Sequence, residues 1–254
     1  GLTAMLPTED ALAVSQDLSA RFGLPLWQFT VSATDAHRHS IRYCRLVTGK
    51  QKIIVIDKCY HGSVDETFAT LDSRGKTVKR EGNIGAPVDL SETTRVVEFN
   101  NLAAMEKALK KGDVAAILME PAMTNIGIVL PEPGYLEAVG KLAKKYGAVW
   151  IIDETHTISV GPGGMTKKYK LKPDMLTIGK AIAGGLPTGT FGMTKAIADQ
   201  IAAKVKREIV DTGGIGSTLA GNALSAAAMR VTLKSVLNEK NFKKMIALGT
   251  RWSD

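Results

Sequence analysis

Ala148-Val149-Trp150-Ile151-Ile152-Asp153-Glu154 and, after a Gly-rich loop at 161–164, Met175-Leu176-Thr177-Ile178-Gly179-Lys180 decide the fold of this chain. Each apolar run is short and shows no alternation, the pattern of a strand buried on both faces. Each ends in chemically reactive side chains. The first delivers Asp153 and Glu154, the second Lys180, and Ala183-Gly184-Gly185-Leu186-Pro187 follows as a loose segment. In open α/β sheets ligands bind at the carboxyl edge of the strands. A lysine beside an acid at that edge is what Schiff-base chemistry with an aldehyde cofactor needs. Taken alone, the pair reads equally well as a helix-capping or metal-binding acid and a surface lysine.

The elements around it repeat the same order. Thr8 caps a helix running to Arg21 and stopped by Gly23. Leu26 to Val31 is a strand, and Ser32-Ala33-Thr34-Asp35-Ala36 leads from it into a helix predicted over Ala36 to Thr48. Free N–H groups and two hydroxyls there can cradle a phosphate, or Ser32 and Thr34 can simply cap the helix. Lys52 to Asp57 is a strand followed by Tyr60-His61-Gly62. An aromatic so placed can lie on a planar ligand or pack as an ordinary loop residue. Residues 72–93 form an excursion with short strands. Strands then follow at Arg95–Phe99, Val114–Met119 (ending in Glu120-Pro121) and Thr190–Thr194, with helices at Leu102–Lys111, Tyr135–Tyr146 and Lys195–Val205. Asp211 to Thr218 is a second Gly-rich hydroxyl loop, opening a helix from Gly221 to Leu237, with a last helix at Asn241–Leu248. This alternation predicts an α/β protein with a mostly parallel, doubly wound sheet and one domain.

The net charge of +8 comes from lysines scattered over helices, and aromatics make up only 6% of the chain. That argues against a nucleic-acid stacking surface. Cys44 and Cys59 form neither a disulfide framework nor a metal-ligand spacing, so a reducing cytoplasm is expected and no metal. No apolar run approaches a membrane span, and no signal-peptide pattern opens the chain. No GxGxxG or GxxxxGK[ST] is present.

Six stretches in order resemble the class III (ω-type) aminotransferases, pyridoxal-phosphate enzymes of fold type I, and most visibly their glutamate-1-semialdehyde aminomutase branch. Ser32 to Ala36 resembles the family's Ser-Gly-Thr-Glu-Ala phosphate turn. Tyr60-His61-Gly62 is similar to the Tyr-His-Gly that stacks on the cofactor ring. Glu120-Pro121 through Pro131-Glu132-Pro133-Gly134-Tyr135-Leu136 follows the Glu-Pro … Pro-Pro-Gly-Phe-Leu segment. Asp153-Glu154 matches the pair whose Asp holds the pyridine nitrogen, Pro173 to Pro187 the Schiff-base lysine segment, and Ser217 to Asn222 the Gly-Thr-x-Ser-Gly-Asn stretch.

The resemblance implies a mostly parallel, seven-stranded-type sheet flanked by helices, with residues 1–254 as the cofactor-binding large domain. The family's N-terminal segment and C-terminal small domain are then missing. It implies pyridoxal 5'-phosphate as cofactor, with Lys180 as the Schiff-base and proton-moving residue and Asp153 against the pyridine nitrogen. Ser32, Ala33 and Thr34 would hold the phosphate together with Ser217 and Thr218 from the neighbouring subunit of a homodimer. Tyr60, with His61 beside it, would cover one ring face and Thr155 the other. His156 would reach the phenolic oxygen, and Glu120 would act from behind the site. Ala33, Thr155 and His156 depart from the usual Gly, Val or Ile, and Gln or Met. The reaction expected is transfer of an amino group between an amine or amino acid and a keto acid. An aminomutase or racemase and a non-catalytic cofactor-binding fragment stand as alternatives.

Overall fold

The computed structural model describes residues 6–205 and 215–253. Nine strands, β1 (Leu26–Thr30), β2 (Lys52–Ile56), β3 (Ala69–Leu71), β4 (Thr77–Lys79), β5 (Thr94–Val97), β6 (Val114–Met119), β7 (Val149–Asp153), β8 (Met175–Ile178) and β9 (Gly189–Met193), lie among these residues. The helices there are α1 (Glu9–Phe22), α2 (Ala33–Thr48), α3 (Leu90–Thr93), α4 (Leu102–Leu109), α5 (Tyr135–Tyr146), α6 (Gly164–Lys168), α7 (Lys195–Lys204), α8 (Ala223–Val231) and α9 (Glu239–Ser253). Seven strands form one sheet in the order β1-β9-β8-β7-β6-β2-β5, and β3 and β4 make a separate hairpin. The α/β, mostly parallel, helix-flanked sheet expected from the sequence is the sheet observed.

Strands β5, β2, β6, β7 and β8 are parallel, while β9 runs antiparallel to both β8 and β1. Reversing twice leaves β1 parallel to the main group, so its carboxyl end joins theirs. Strands β6 and β7 are buried at every position, as their unbroken apolar runs require. A larger apolar cluster joins α2, α4 and α5 to the sheet, and a smaller one joins α1 and α8 to β8. No described helix is long and apolar enough to cross a membrane.

Caps set the helix bounds. Thr8 accepts from the Ala11 N–H, and Gly23 closes α1 in the left-handed region. Helix α2 begins at Ala33, three residues ahead of the predicted Ala36, because Ser32 is extended and its Oγ accepts from the Asp35 N–H at 3.1 Å. The helix expected over 221–237 is α8 followed by one π-helical turn, Thr232–Val236. The last helix is longer than Asn241–Leu248 at both ends. Asp211 to Gly214 lie outside the described residues.

Two glycines let the future site close. A Cβ on Gly189 would sit 2.5 Å from the Ser32 carbonyl, and one on Gly179 would sit 2.7 Å from the Ala33 Cβ. The start of α2 is therefore pressed against β9 and the end of β8 with no room for a side chain between them.

Candidate active site

Strands β1, β2, β7 and β8 deliver the residues at and after their carboxyl ends to one edge, where a cavity of about 420 Å³ opens. Val31 to Thr34, His37, Tyr60, Asp153, Thr155, His156, Lys180 and the 185–188 segment line it. Of the residues predicted from the sequence, Ser32, Ala33, Thr34, Tyr60, Asp153, Thr155, His156 and Lys180 meet on this wall. His61 and Glu120 are buried behind it. Ser217 and Thr218 are exposed and lie outside it.

Asp153 Oδ2 accepts from His37 Nε2 at 3.0 Å and from His61 Nδ1 at 2.8 Å, and Oδ1 accepts from the Thr155 N–H at 2.9 Å. Burial acts to raise the Asp153 pKa, but the two imidazoles outweigh it and hold the carboxyl well below its ordinary range. For His61, burial disfavours the cation. The adjacent Cys59 sulfur and the Asp153 carboxylate outweigh burial and raise its pKa well above the usual value. Asp153 thus stays ionised, and three of its roughly four lone-pair directions are already occupied. His37 was not foreseen from the sequence. Its only signal is a histidine on the sheet-facing side of α2, one residue after the phosphate-turn pattern, and Thr177 Oγ1, 2.8 Å away, shares its Nε2. The three donor atoms of His37, His61 and Asp153 lie within 4.8 Å of one another, each already used in these hydrogen bonds.

The neighbouring acid is driven the other way. Glu154 is fully buried, and burial raises its pKa against the pull of its donors. It accepts from Thr157 Oγ1 at 2.6 Å and from the N–H groups of Met165 and Thr166 at 3.2 and 2.5 Å. Glu154 therefore clasps the Gly-rich loop, and Asp153 faces the cavity. Two adjacent carboxyls have separate tasks.

Lys180 follows β8 with φ 46°, in the left-handed region that a side chain enters at a cost of about 1–2 kcal/mol. Among the described residues its ammonium meets no carboxylate. Backbone strain of this kind gathers where a side chain must be aimed. Opposite it in sequence order stands the first turn of α2, where the Ala33 and Thr34 N–H groups have no helical carbonyl within reach. Thr34 Oγ1 also accepts from the Ser63 N–H at 3.1 Å, tying the Tyr60 loop to the turn, and Gly62 is needed there because a Cβ would strike Thr34.

His156 and Glu120 meet through a residue that the sequence reading passed over. Thr124 donates to Glu120 Oε2, and the His156 Nδ1 lies 2.5 Å from the Thr124 hydroxyl and 3.4 Å from Glu120 Oε2. A two-residue bridge, Met123 with Val129, sets the register of the loop that carries Thr124.

A buried sheet edge carrying a strained lysine, an ionised aspartate and a helix start on one cavity is a cofactor-binding arrangement. Residues 2–253 match the family model of the class-III aminotransferases, and the chain belongs to that family. It is 35% identical to the glutamate-1-semialdehyde 2,1-aminomutase of Anaeromyxobacter dehalogenans (strain 2CP-C) over 89% of this chain and 52% of that protein. The aminomutase of Neisseria meningitidis serogroup A is 32% identical over 97% of this chain and 57% of its own length. Among solved structures, a glutamate-1-semialdehyde-aminomutase variant from Pseudomonas aeruginosa PAO1 in complex with PMP superposes with TM-score 0.94 at 45% identity, covering 98% of this chain and 56% of that one. An omega-transaminase from Sphaerobacter thermophilus gives TM-score 0.85 at 26% identity, covering 97% and 57%. The chain spans about half the length of the curated relatives it matches.

Proposed function

We propose that residues 1–254 are the cofactor-binding large domain of a pyridoxal-phosphate-dependent aminotransferase, moving an amino group between an amine or amino acid and a keto acid. The observation that carries this reading is that Lys180 and Asp153 line one cavity with the open first turn of α2. The residues present fit the cofactor. Asp153 keeps an unspent lone-pair direction for a pyridine N–H, and Thr155 Oγ1 and His37 Nδ1 are buried polar atoms without a partner among the described residues. The Ala33 and Thr34 N–H groups and the Thr34 hydroxyl supply donors for a phosphate, which the amino-terminal end of a helix favours, while the Ser32 hydroxyl donates to Asp35 Oδ2 at 2.8 Å. The ring of Tyr60, partly exposed on the cavity wall, supplies an aromatic face.

Bound pyridoxal phosphate would supply an aldehyde and an electron-accepting pyridine ring. In this reading Lys180 holds the aldehyde and, once released, carries a proton to and from the substrate α-carbon. Asp153, kept ionised by His37 and His61, holds the pyridine proton in place. The expected result for the cofactor-loaded chain is a yellow protein whose borohydride-reduced peptide map carries pyridoxyl at Lys180. A label on another lysine would refute the assignment.

A second reading, an intramolecular aminomutase, is favoured by the names of the relatives at 35% and 45% identity. Its amino group ends on the same molecule, so turnover without any added keto acid separates the two. For compartment we infer a reducing cytoplasm, since Cys44 and Cys59 are buried and unlinked, and recovery of the native protein in an oxidising compartment would contradict it.

We also infer a homodimer with shared sites. Ser217 and Thr218 are exposed, yet their loop is anchored by His39 Nε2, 3.0 Å from the Gly216 carbonyl. Two-fold symmetry would let each subunit lend this loop to the other's phosphate. Mixing Lys180→Ala chains with Thr218→Val chains under subunit exchange is expected to restore one intact site per hybrid, raising activity above both parents. No gain, with exchange verified by mass, would assign Thr218 to its own subunit.

A further inference from the structure

Building on that reading, we propose that His156 is a second proton-carrying residue of the site, a base whose Nε2 faces the cavity while Glu120 and Thr124 hold its Nδ1. The contacts around Nδ1 favour one tautomer when Glu120 is a carboxylate. Thr124 has one hydroxyl proton, and it goes to Glu120 Oε2. What His156 Nδ1 meets is then a lone pair of Thr124 Oγ1 at 2.5 Å and the carboxylate at 3.4 Å, both acceptors. With Glu120 as the carboxylate, Nδ1 then carries the ring proton, and the tautomer assigned to the neutral ring has its bare lone pair on Nε2. Among the described residues Nε2 makes no hydrogen bond, and His156 lines the cavity.

Glu120 is built for this role. It is 4% exposed, and its Oε1 is buried without a partner among the described residues. A buried carboxylate behind an imidazole stabilises the imidazolium that forms when the ring takes a proton. The other titratable groups of the cavity wall are His37, Tyr60, Asp153 and Lys180. His37 is turned to Asp153, and Lys180 is itself engaged with the cofactor when an amine arrives.

The step assigned to His156 is deprotonation of that arriving amine. A substrate enters as an ammonium ion with no lone pair and cannot attack a carbonyl-derived carbon. Nε2 takes one of its protons, leaving a neutral amine and an imidazolium. The proton returns to the product amine on departure, so the ring ends neutral. Glu120 and Thr124 are positioning residues for this transfer.

Two measurements test it on the full chain. In the cofactor-free protein, nitrogen NMR of the imidazoles should find neutral His156 as the Nδ1–H tautomer. Glu120→Gln and Thr124→Val should move it toward Nε2–H. An Nε2–H tautomer in the unmutated protein overturns the proposal whether or not cofactor binds. In the cofactor-loaded protein, displacement of Lys180 by methylamine is followed by absorbance. His156→Gln, which retains a donor for Thr124, should slow it about 100-fold at neutral pH, the lower range of a general base, and should remove the limb of the pH profile that the base supplies. Methoxyamine arrives already deprotonated and should react with both proteins within about twofold. Equal slowing of both amines, or of neither, overturns the role of His156. Absence of any Lys180 adduct in the unmutated protein would instead overturn the cofactor reading on which the step rests.

Discussion

Asp153→Asn is expected to destabilise the fold by about 3–5 kcal/mol, the cost of removing one partner from a buried ion pair. Asn can still offer one oxygen to His37 and His61. Its amide then turns toward the Thr155 N–H, setting donor against donor where the carboxylate Oδ1 accepted at 2.9 Å. The sign of the pH dependence follows from the two shifts. Asp153 is depressed below its ordinary 3.8, so its contribution is present above that value and is lost as pH falls through the folded-state pKa. His61 is raised above 6.5, so its contribution is complete below 6.5 and is lost as pH rises through its folded-state pKa. The variant should lose the acid limb below 3.8 and weaken the limb above 6.5, which the Cys59 sulfur also supports, leaving a flatter stability profile. Urea denaturation across both limbs checks it, and a variant as stable as the parent at neutral pH would contradict the pairing.

The second large effect is expected at Glu154. Glu154→Ala strands the Thr157 hydroxyl and the Met165 and Thr166 N–H groups in a dry interior. Each unsatisfied donor costs about 1–3 kcal/mol. Removal of a buried charge offsets part of this, so a net loss of about 3 kcal/mol or more is expected. Because burial raises the Glu154 pKa, the folded state binds its proton more tightly than the unfolded chain does. Its charge therefore weakens the fold as pH rises through that folded value, and the variant should lack this downward limb. Thermal melts at several pH values measure both effects. Unchanged melting at every pH would mean that the Gly-rich loop is held by something other than Glu154.

How much of this could be read from the chain differs by kind of residue. The caps were legible because a hydroxyl such as Thr8 or a glycine such as Gly23 acts on its own neighbours. The buried strands were legible because Val114–Met119 and Val149–Ile152 allow no other burial pattern. The cavity wall came from local order, each reactive residue following its own strand. What escaped depends on contacts far apart in sequence. His37 meets Asp153 only once α2 lies over the sheet. Thr124 reaches His156 only because the Met123–Val129 bridge sets its loop. The reversed direction of β9 was equally hidden, since Gly189–Met193 is apolar enough to run either way. The α2 start was misread by three residues because Ser32 was weighed as one of several hydroxyls, and its extended backbone makes it the cap.

That reversed strand has a consequence for how the molecule comes into being. Gln28 and Thr190 are hydrogen-bonded neighbours although 162 residues separate them, and only through this pairing does the first turn of α2 come to face the segment after Lys180. During synthesis the five parallel strands can already stack while β1 still has no neighbour to zip onto. A nascent chain stopped before Gly189 would hold nearly every reactive side chain of the site without the cavity that gathers them. Among the described strands β9 is the last in chain order, so the cavity edge that it completes closes only after the other six strands of the sheet have been made.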